Sequence, residues 1–324
     1  MHKAIIPLRS LVVAAALALT SVSAMADYPE RPLRVIVPFA AGGATDVIAR
    51  TVAQAMSVRL GQSIVVENKA GANGNIGGAA AARSEPDGYT LLMATSSHAI
   101  NASLYQKLSY SLTRDFAALS NLASVPLLLV VHPSVPVNSV SELAAYAKAN
   151  AASVNYASGG VGTASHLSGE QFSTLAGAKI THVAYKGGAQ ALNDMIGGQV
   201  QIMFANLPEV LSLVQSGKLK ALAVTGSTRH AALPYVPAFS ETPFPGMNAR
   251  SWFGLFAPAG TPPAIVEKLA QTIVQSVADP AVQERLKGLG ADPVGDDRAT
   301  FQKYVNDEVA RWAVLVAQSG ATAE

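Results

Sequence analysis

The chain has 324 residues, no cysteine and only 14% charged side chains, with 23 Lys and Arg against 21 Asp and Glu. The lack of cysteine excludes a disulfide framework, thiolate catalysis and every cysteine-ligated metal site. The near-balanced charge argues against a nucleic-acid partner, which a basic surface would recruit.

The first 26 residues stand apart by pattern. His2, Lys3 and Arg9 surround the start, an apolar run follows over 11–19, and Ala24-Met25-Ala26 supplies the small residues at which a signal peptidase cuts. That run is too short to span a bilayer. The expectation is a signal peptide over residues 1–26, cleaved after Ala26, and export of the remainder. Cleavage removes Lys3 and Arg9 and no acid, so 21 basic residues face 21 acidic ones over 324 − 26 = 298 residues. A chain of that length suits two domains rather than one core.

Residues 33–37 form a β-branched run closed by Pro38, and a small-residue loop over 39–44 follows. Ile48, Val52, Met56 and Leu60 recur at helical spacing until Gly61, and 64–66 predicts the next strand. Strand, helix, strand in this order is the unit of a parallel α/β sheet. A Gly-rich stretch over 71–78 enters an Ala-rich helix ending near Arg83, and Pro86-Asp87-Gly88 turns the chain into a strand over 89–93. After Thr95-Ser96-Ser97-His98 the pattern is irregular until 125–131, a continuous apolar run that predicts a central strand.

The second half repeats the unit. A helix over 142–149, a strand over 154–157, a helix over 164–175, a strand over 180–185, a helix over 189–196, and strands over 200–205 and 220–224 predict a second α/β domain. Residues 252–257 are apolar, and helices over 263–278, 281–286 and 300–318 close the chain. These last helices bring no strands with them, so they are expected to pack back on the first domain. The expected division is domain I over 27–124 plus 258–324 and domain II over 125–257. The chain then crosses twice between domains, near 124–132 and again near 250–258, which makes a hinge.

Three loops share one design, a strand end followed by small or hydroxylated residues and then a helix start. They are 39–46, with Phe39, Ala41, Gly42, Gly43, Thr45 and Asp46; 95–98, with Thr95, Ser96, Ser97 and His98; and 158–166, with Ser158, Gly159, Gly162, Thr163 and His166. In open α/β sheets such loops gather at the carboxyl edge, where unpaired amides and the positive helix end receive anions. None of the three contains Arg. Asp46 is either a helix cap or the partner of a ligand ammonium group, since a carboxylate beside a bound carboxylate is unfavourable. His98 and His166 are either donors to the ligand or satisfied structural residues. Lys186, followed by Gly187, stands at a comparable strand end, as a solvated turn or a ligand contact. No dinucleotide loop, Walker loop, G-x-S-x-G elbow or H-E-x-x-H motif occurs, and the six His are scattered. Ser158 with His166 lacks the third group of a hydrolase. The chain is therefore read as a binding protein, not an enzyme, with no cofactor and no metal.

Several segments resemble the Bug family, the TctC-like binding proteins of tripartite tricarboxylate transport systems. They are Tyr28-Pro-x-Arg31-Pro-Leu-Arg34-Val-Ile-Val-Pro38-Phe-Ala-Ala-Gly42-Gly-Ala-Thr-Asp46-x-x-Ala-Arg50, Val66-Glu-Asn68-Lys-Ala-Gly71-Ala-Asn-Gly74-Asn-Ile-Gly77, Pro86-Asp-Gly-Tyr-Thr90-Leu, Tyr185-Lys-Gly187 and Gly197-Gly-Gln-Val200. The resemblance implies a type II periplasmic-binding-protein fold: two α/β domains joined by two crossovers, closing on a ligand cleft. It implies a periplasmic monomer that takes a small carboxylate, an organic acid, dicarboxylate or amino acid, and delivers it to the membrane permease subunits of a tripartite tricarboxylate transporter. The loops 39–46 and 158–166 would grip the carboxylate, with 95–98, Lys186 and Gly187 completing the cleft and Asn206 and Trp252 in its variable part. A ligand-presenting partner of a sensor kinase is the alternative, and a serine hydrolase a remote one.

Overall fold

The computed structural model describes residues 28–150, 153–185 and 187–323. The expected signal peptide and Lys186 lie outside the described residues.

The first lobe opens with β1 (Leu33–Val37), α1 (Ala44–Leu60), β2 (Ile64–Asn68), α2 (Asn75–Ala82), β3 (Thr90–Thr95) and α3 (Ser96–Leu104). Helix α1 turns Ile48, Val52 and Met56 into the core and stops at Gly61, whose φ of +66° is the left-handed conformation glycine adopts without strain. Strand β4 (Phe116–Val131) leads into the second lobe, built from α4 (Val140–Ala149), β5 (Asn155–Ser158), α5 (Ala164–Ala176), β6 (Thr181–Ala184), α6 (Gly188–Ile196), β7 (Ile202–Asn206), α7 (Leu207–Gln215) and β8 (Lys220–Val224). Strand β9 (Arg250–Pro258) returns, followed by α8 (Pro263–Val277), α9 (Pro280–Gly288), β10 (Asp292–Pro293) and α10 (Arg298–Ser319).

One ten-stranded sheet runs through both lobes in the order β2-β1-β3-β9-β4-β7-β5-β6, with β8 and β10 also on β4. Strands β2, β1 and β3 are parallel, as are β6, β5 and β7. The 16 residues of β4 divide between lobes, Phe116–Pro126 pairing with β9 and Leu127–Val131 with β7 and β8. Leu128 and Val130 enter the core on one face while Leu127, Leu129 and Val131 enter it on the other. Period-two alternation with both faces covered explains why this stretch reads as continuously apolar.

Four features differ from the sequence expectations. Residues 96–98 are the first turn of α3 and not a loop, because Thr95 caps it: its hydroxyl accepts from Ser97 N–H and its own N–H donates to His98 Nδ1. Helix α7 was not anticipated. Strand β9 lies between β3 and β4 in the first lobe's part of the sheet, so the return crossing comes just before Arg250, at the start of the expected stretch 250–258, and the strand itself goes with the first lobe. The C-terminal helices bring one short strand with them, β10, pairing Asp292 with Ser124.

Both crossings are fastened at one side chain. Thr225 Oγ1 accepts from Leu127 N–H at 2.9 Å and donates to Ala249 O at 2.6 Å. Arg250 adds a second tie, donating through Nε to Ser124 Oγ at 2.7 Å and pairing with Asp292.

Candidate functional site

The strand registers decide where the helix entrances meet. Thr95, the last residue of β3, lies opposite Phe253, and Phe253 lies opposite Ala123, just before the crossing. Asn206, the last residue of β7, lies opposite Leu127, just after it. Parallel β1 and β2 end beside β3, and parallel β5 and β6 end beside β7. The carboxyl edges of the two half-sheets therefore face each other across the crossing, with a cleft between.

On the first-lobe edge the loop after β1 leaves Ala41, Gly42 and Gly43 exposed, with Phe39 and Thr45 half-buried. Gly43 is the N-cap of α1 and offers no side-chain cap. Asp46, buried, accepts from Gly42 N–H at 2.9 Å, from Arg50 Nε at 3.0 Å and from Asn68 Nδ2 at 3.0 Å. Asn68 Nδ2 also donates to Phe39 O. Burial works to raise the Asp46 pKa, but those donors outweigh it and hold the carboxyl below its ordinary range. Asp46 thus organises the loop from beneath and takes up the Gly42 amide. Arg50 and Asn68, which the sequence reading missed, complete that network; their i, i+4 and strand-end positions relative to Asp46 were the available signal.

Thr95, Ser96 and Ser97 sit buried at the entrance of α3. His98 is fully buried, and burial takes its imidazole down to about 4 despite its hydrogen bond with Thr95. Its Nδ1 receives the Thr95 N–H, so the proton of the neutral ring belongs on Nε2, toward Gly74, where a Cβ would stand 3.2 Å away.

On the second-lobe edge the loop after β5 is tied down from inside. Ser158 Oγ meets His182 Nε2 at 2.6 Å and exchanges hydrogen bonds with the N–H and C=O of Gly160. Thr163 caps α5, accepting from His166 N–H and donating to Gly160 O. His166 accepts from Gly162 N–H at Nδ1 and stacks on His182 at 4.1 Å between centroids, with Tyr156 also stacked on His182 at 4.8 Å. Tyr156 donates to Glu170 Oε1. Burial, with the neighbouring His166, drives His182 down to about 3. A serine with 0% exposure beside so weak a base is not an activated nucleophile, and its partner is His182 in place of the expected His166. Gly159 and Gly187 pack together, a Cβ on Gly159 falling 3.1 Å from Gly188 N, and Asn206 bridges Ser251 Oγ and Glu209. Trp252 is fully buried against Phe301 and Tyr304, which makes it a core residue of the first lobe.

The lobes touch at the rim. Asn73 Nδ2 donates to Asn101 Oδ1 at 2.9 Å and, across the cleft, to Gly162 O at 3.2 Å. A Cβ at Gly162 would lie 2.1 Å from Leu104 Cδ2 of the facing helix. The helix entrances at Gly43 and Thr163, set on opposing lobes, present backbone N–H groups that can receive an anion. A separate depression of about 550 Å³ bounded by Arg31, Arg34 and Arg83 lies at the opposite end of β1 and β3, where Arg31 is already paired with Asp87. Among the described residues, no group of three or more His, Asp or Glu could hold a metal ion, and no helix is long and apolar enough to cross a membrane.

Two α/β lobes joined by paired strands around a polar cleft define a two-lobed solute-binding protein. The chain belongs to the TctC family, described as the tripartite tricarboxylate transporter family receptor, whose model matches residues 48–321. It is 40% identical over 296 residues to Protein BugT of Bordetella pertussis, covering 91% of each chain. Its fold matches that of the periplasmic binding protein BugD with a TM-score of 0.83 at 38% identity, covering 92% of this chain and 100% of that one. An R. palustris protein solved with adipate superposes with a TM-score of 0.85 at 36% identity, covering 91% and 99%. The family is described as a receptor and BugD as a binding protein, and the chain is a binding protein rather than an enzyme.

Proposed function

We propose that the chain is exported, captures a small carboxylate in the periplasm and delivers it to the membrane subunits of a tripartite tricarboxylate-type transporter. The observation that carries this reading is the meeting of helix entrances from facing lobes, α1 at Gly43 and α5 at Thr163, which suits an anion small enough to touch both. The R. palustris relative solved with adipate supports a carboxylate as that anion. The candidate contacts are Ala41, Gly42, Gly43 and Thr45 with Thr95, Ser96 and Ser97 from one lobe, and Gly159, Gly162, Thr163 and Gly187 from the other. Lys186, beside Gly187, is a further candidate.

Calorimetry and thermal-shift measurements on residues 27–324 with a panel of mono- and dicarboxylates test it. At least one acid is expected to bind one to one and to raise the melting temperature, since binding the native state alone at a hundred times Kd stabilises it by about 2.7 kcal/mol. A panel in which neutral sugars bind and every carboxylate fails sinks the proposal. Uptake of the bound acid by cells should stop when this gene is deleted and the permease genes are kept.

A further inference from the structure

Glu209 is a carboxylate placed where an anion-binding cleft has no use for one. The steps from β6 to β7 and from β7 to β8 both move toward β4, so right-handed connections put α6 and α7 side by side on one face with their first turns at the cleft edge. Glu209 is the third residue of α7. Its Oε1 accepts from Asn206 Nδ2 at 3.0 Å, and Asn206 is held in turn by Ser251 Oγ at 2.7 Å. Its Oε2 stands 3.0 Å from the Cβ position of Gly188, the first residue of α6. Burial raises its pKa, Asn206 opposes this through its side-chain and backbone donors, and no cation contributes among the described residues.

A carboxylate fixed beside the mouth of α6 repels a second negative charge nearby. The negative end of the ligand is left with the entrances of α1, α3 and α5. The end toward Glu209 must offer positive charge. Resting on the carboxylate-binding reading above, we infer that Glu209 is a specificity residue that selects carboxylates bearing an ammonium group, the amino acids, over plain acids of the same carbon skeleton.

Matched pairs isolate the ammonium group: L-aspartate against succinate, L-glutamate against glutarate, and L-alanine against propionate, each titrated calorimetrically into the wild type and into Glu209→Gln. In at least one pair the wild type is expected to bind the amino acid tenfold or more tightly than its partner. Glu209→Gln, which keeps the acceptor for Asn206, should weaken that amino acid at least tenfold and leave the plain acid unchanged or tighter. A wild type that favours the plain acids in every pair overturns the inference without any variant, and so does a folded Glu209→Gln protein that keeps the preference. Failure of every acid in both classes overturns the carboxylate reading as well, which separates the two failures.

Discussion

Single side chains in this protein spend their polarity on shaping loops. Asp46 satisfies the Gly42 amide while Arg50 and Asn68 satisfy Asp46, so the loop keeps its shape before any ligand arrives. His98 and His182 do the same for the loops after β3 and β5, but only as neutral rings, at about 4 and about 3. Both values lie below the ordinary 6.5, so the unfolded chain takes up protons first as pH falls. The stability these rings confer is complete above pH 6.5 and declines as pH drops through 6.5 toward 4 and 3. Asp46, held low, keeps its contribution down to the carboxylate range, while Glu209 and Asp296, raised by burial, work against the histidines as pH falls. Between pH 6.5 and 5, fully buried His98 alone should contribute a loss of roughly 2 kcal/mol by urea unfolding, at about 1.4 kcal/mol per pH unit, and His182 adds to it. A midpoint that does not move between pH 7 and 5 would show that neither ring is held neutral.

At the scale of elements, β4 carries the architecture. Its first part pairs with β9 and its second with β7 and β8, and it buries apolar side chains on both faces throughout. A strand shared by two lobes transmits any rotation between them to its middle, where Thr225 ties Leu127 to Ala249. Thr225→Val keeps the shape but leaves a buried N–H and a buried C=O without that partner. It should cost about 1–3 kcal/mol by urea unfolding. An unchanged midpoint would mean that the two crossings are not joined there.

For the molecule as a whole, the arrangement seen here has the lobes in contact at the rim, through Asn73 to Gly162 and Leu104 against Gly162. Glycine is required at 162 on two counts: its φ is +77°, and a Cβ would overlap Leu104. Gly162→Ala should therefore favour more open lobes and weaken ligand binding tenfold or more, about 1.4 kcal/mol. Small-angle scattering with saturating ligand should give a larger radius of gyration for the variant than for the wild type. Equal radii and equal affinity would show that contact at this rim plays no part in closure.

Much of the fold was legible along the chain. Strands β1 and β8 fall where local pattern puts them, 33–37 and 220–224, because each is a short apolar run with its own stop signals. The helix entrances were legible for the same reason, since capping chemistry is local. What escaped was nonlocal. Helix α3 is buried through Ser96, Ser97, His98 and Asn101, polar residues of which Asn101 finds its partners on distant Asn73 and Asn75, so hydropathy hid it. The pairing of Ser158 with His182 and not with His166 depends on β5 and β6 lying side by side, and the approach of Glu209 to Gly188 on α6 lying beside α7. Sequence alone determined most of the elements and the family, because caps, turns and periodicity act over a few residues. Tertiary structure alone decided which side chains meet, because strand register and helix placement are settled by burying both faces of one sheet at once.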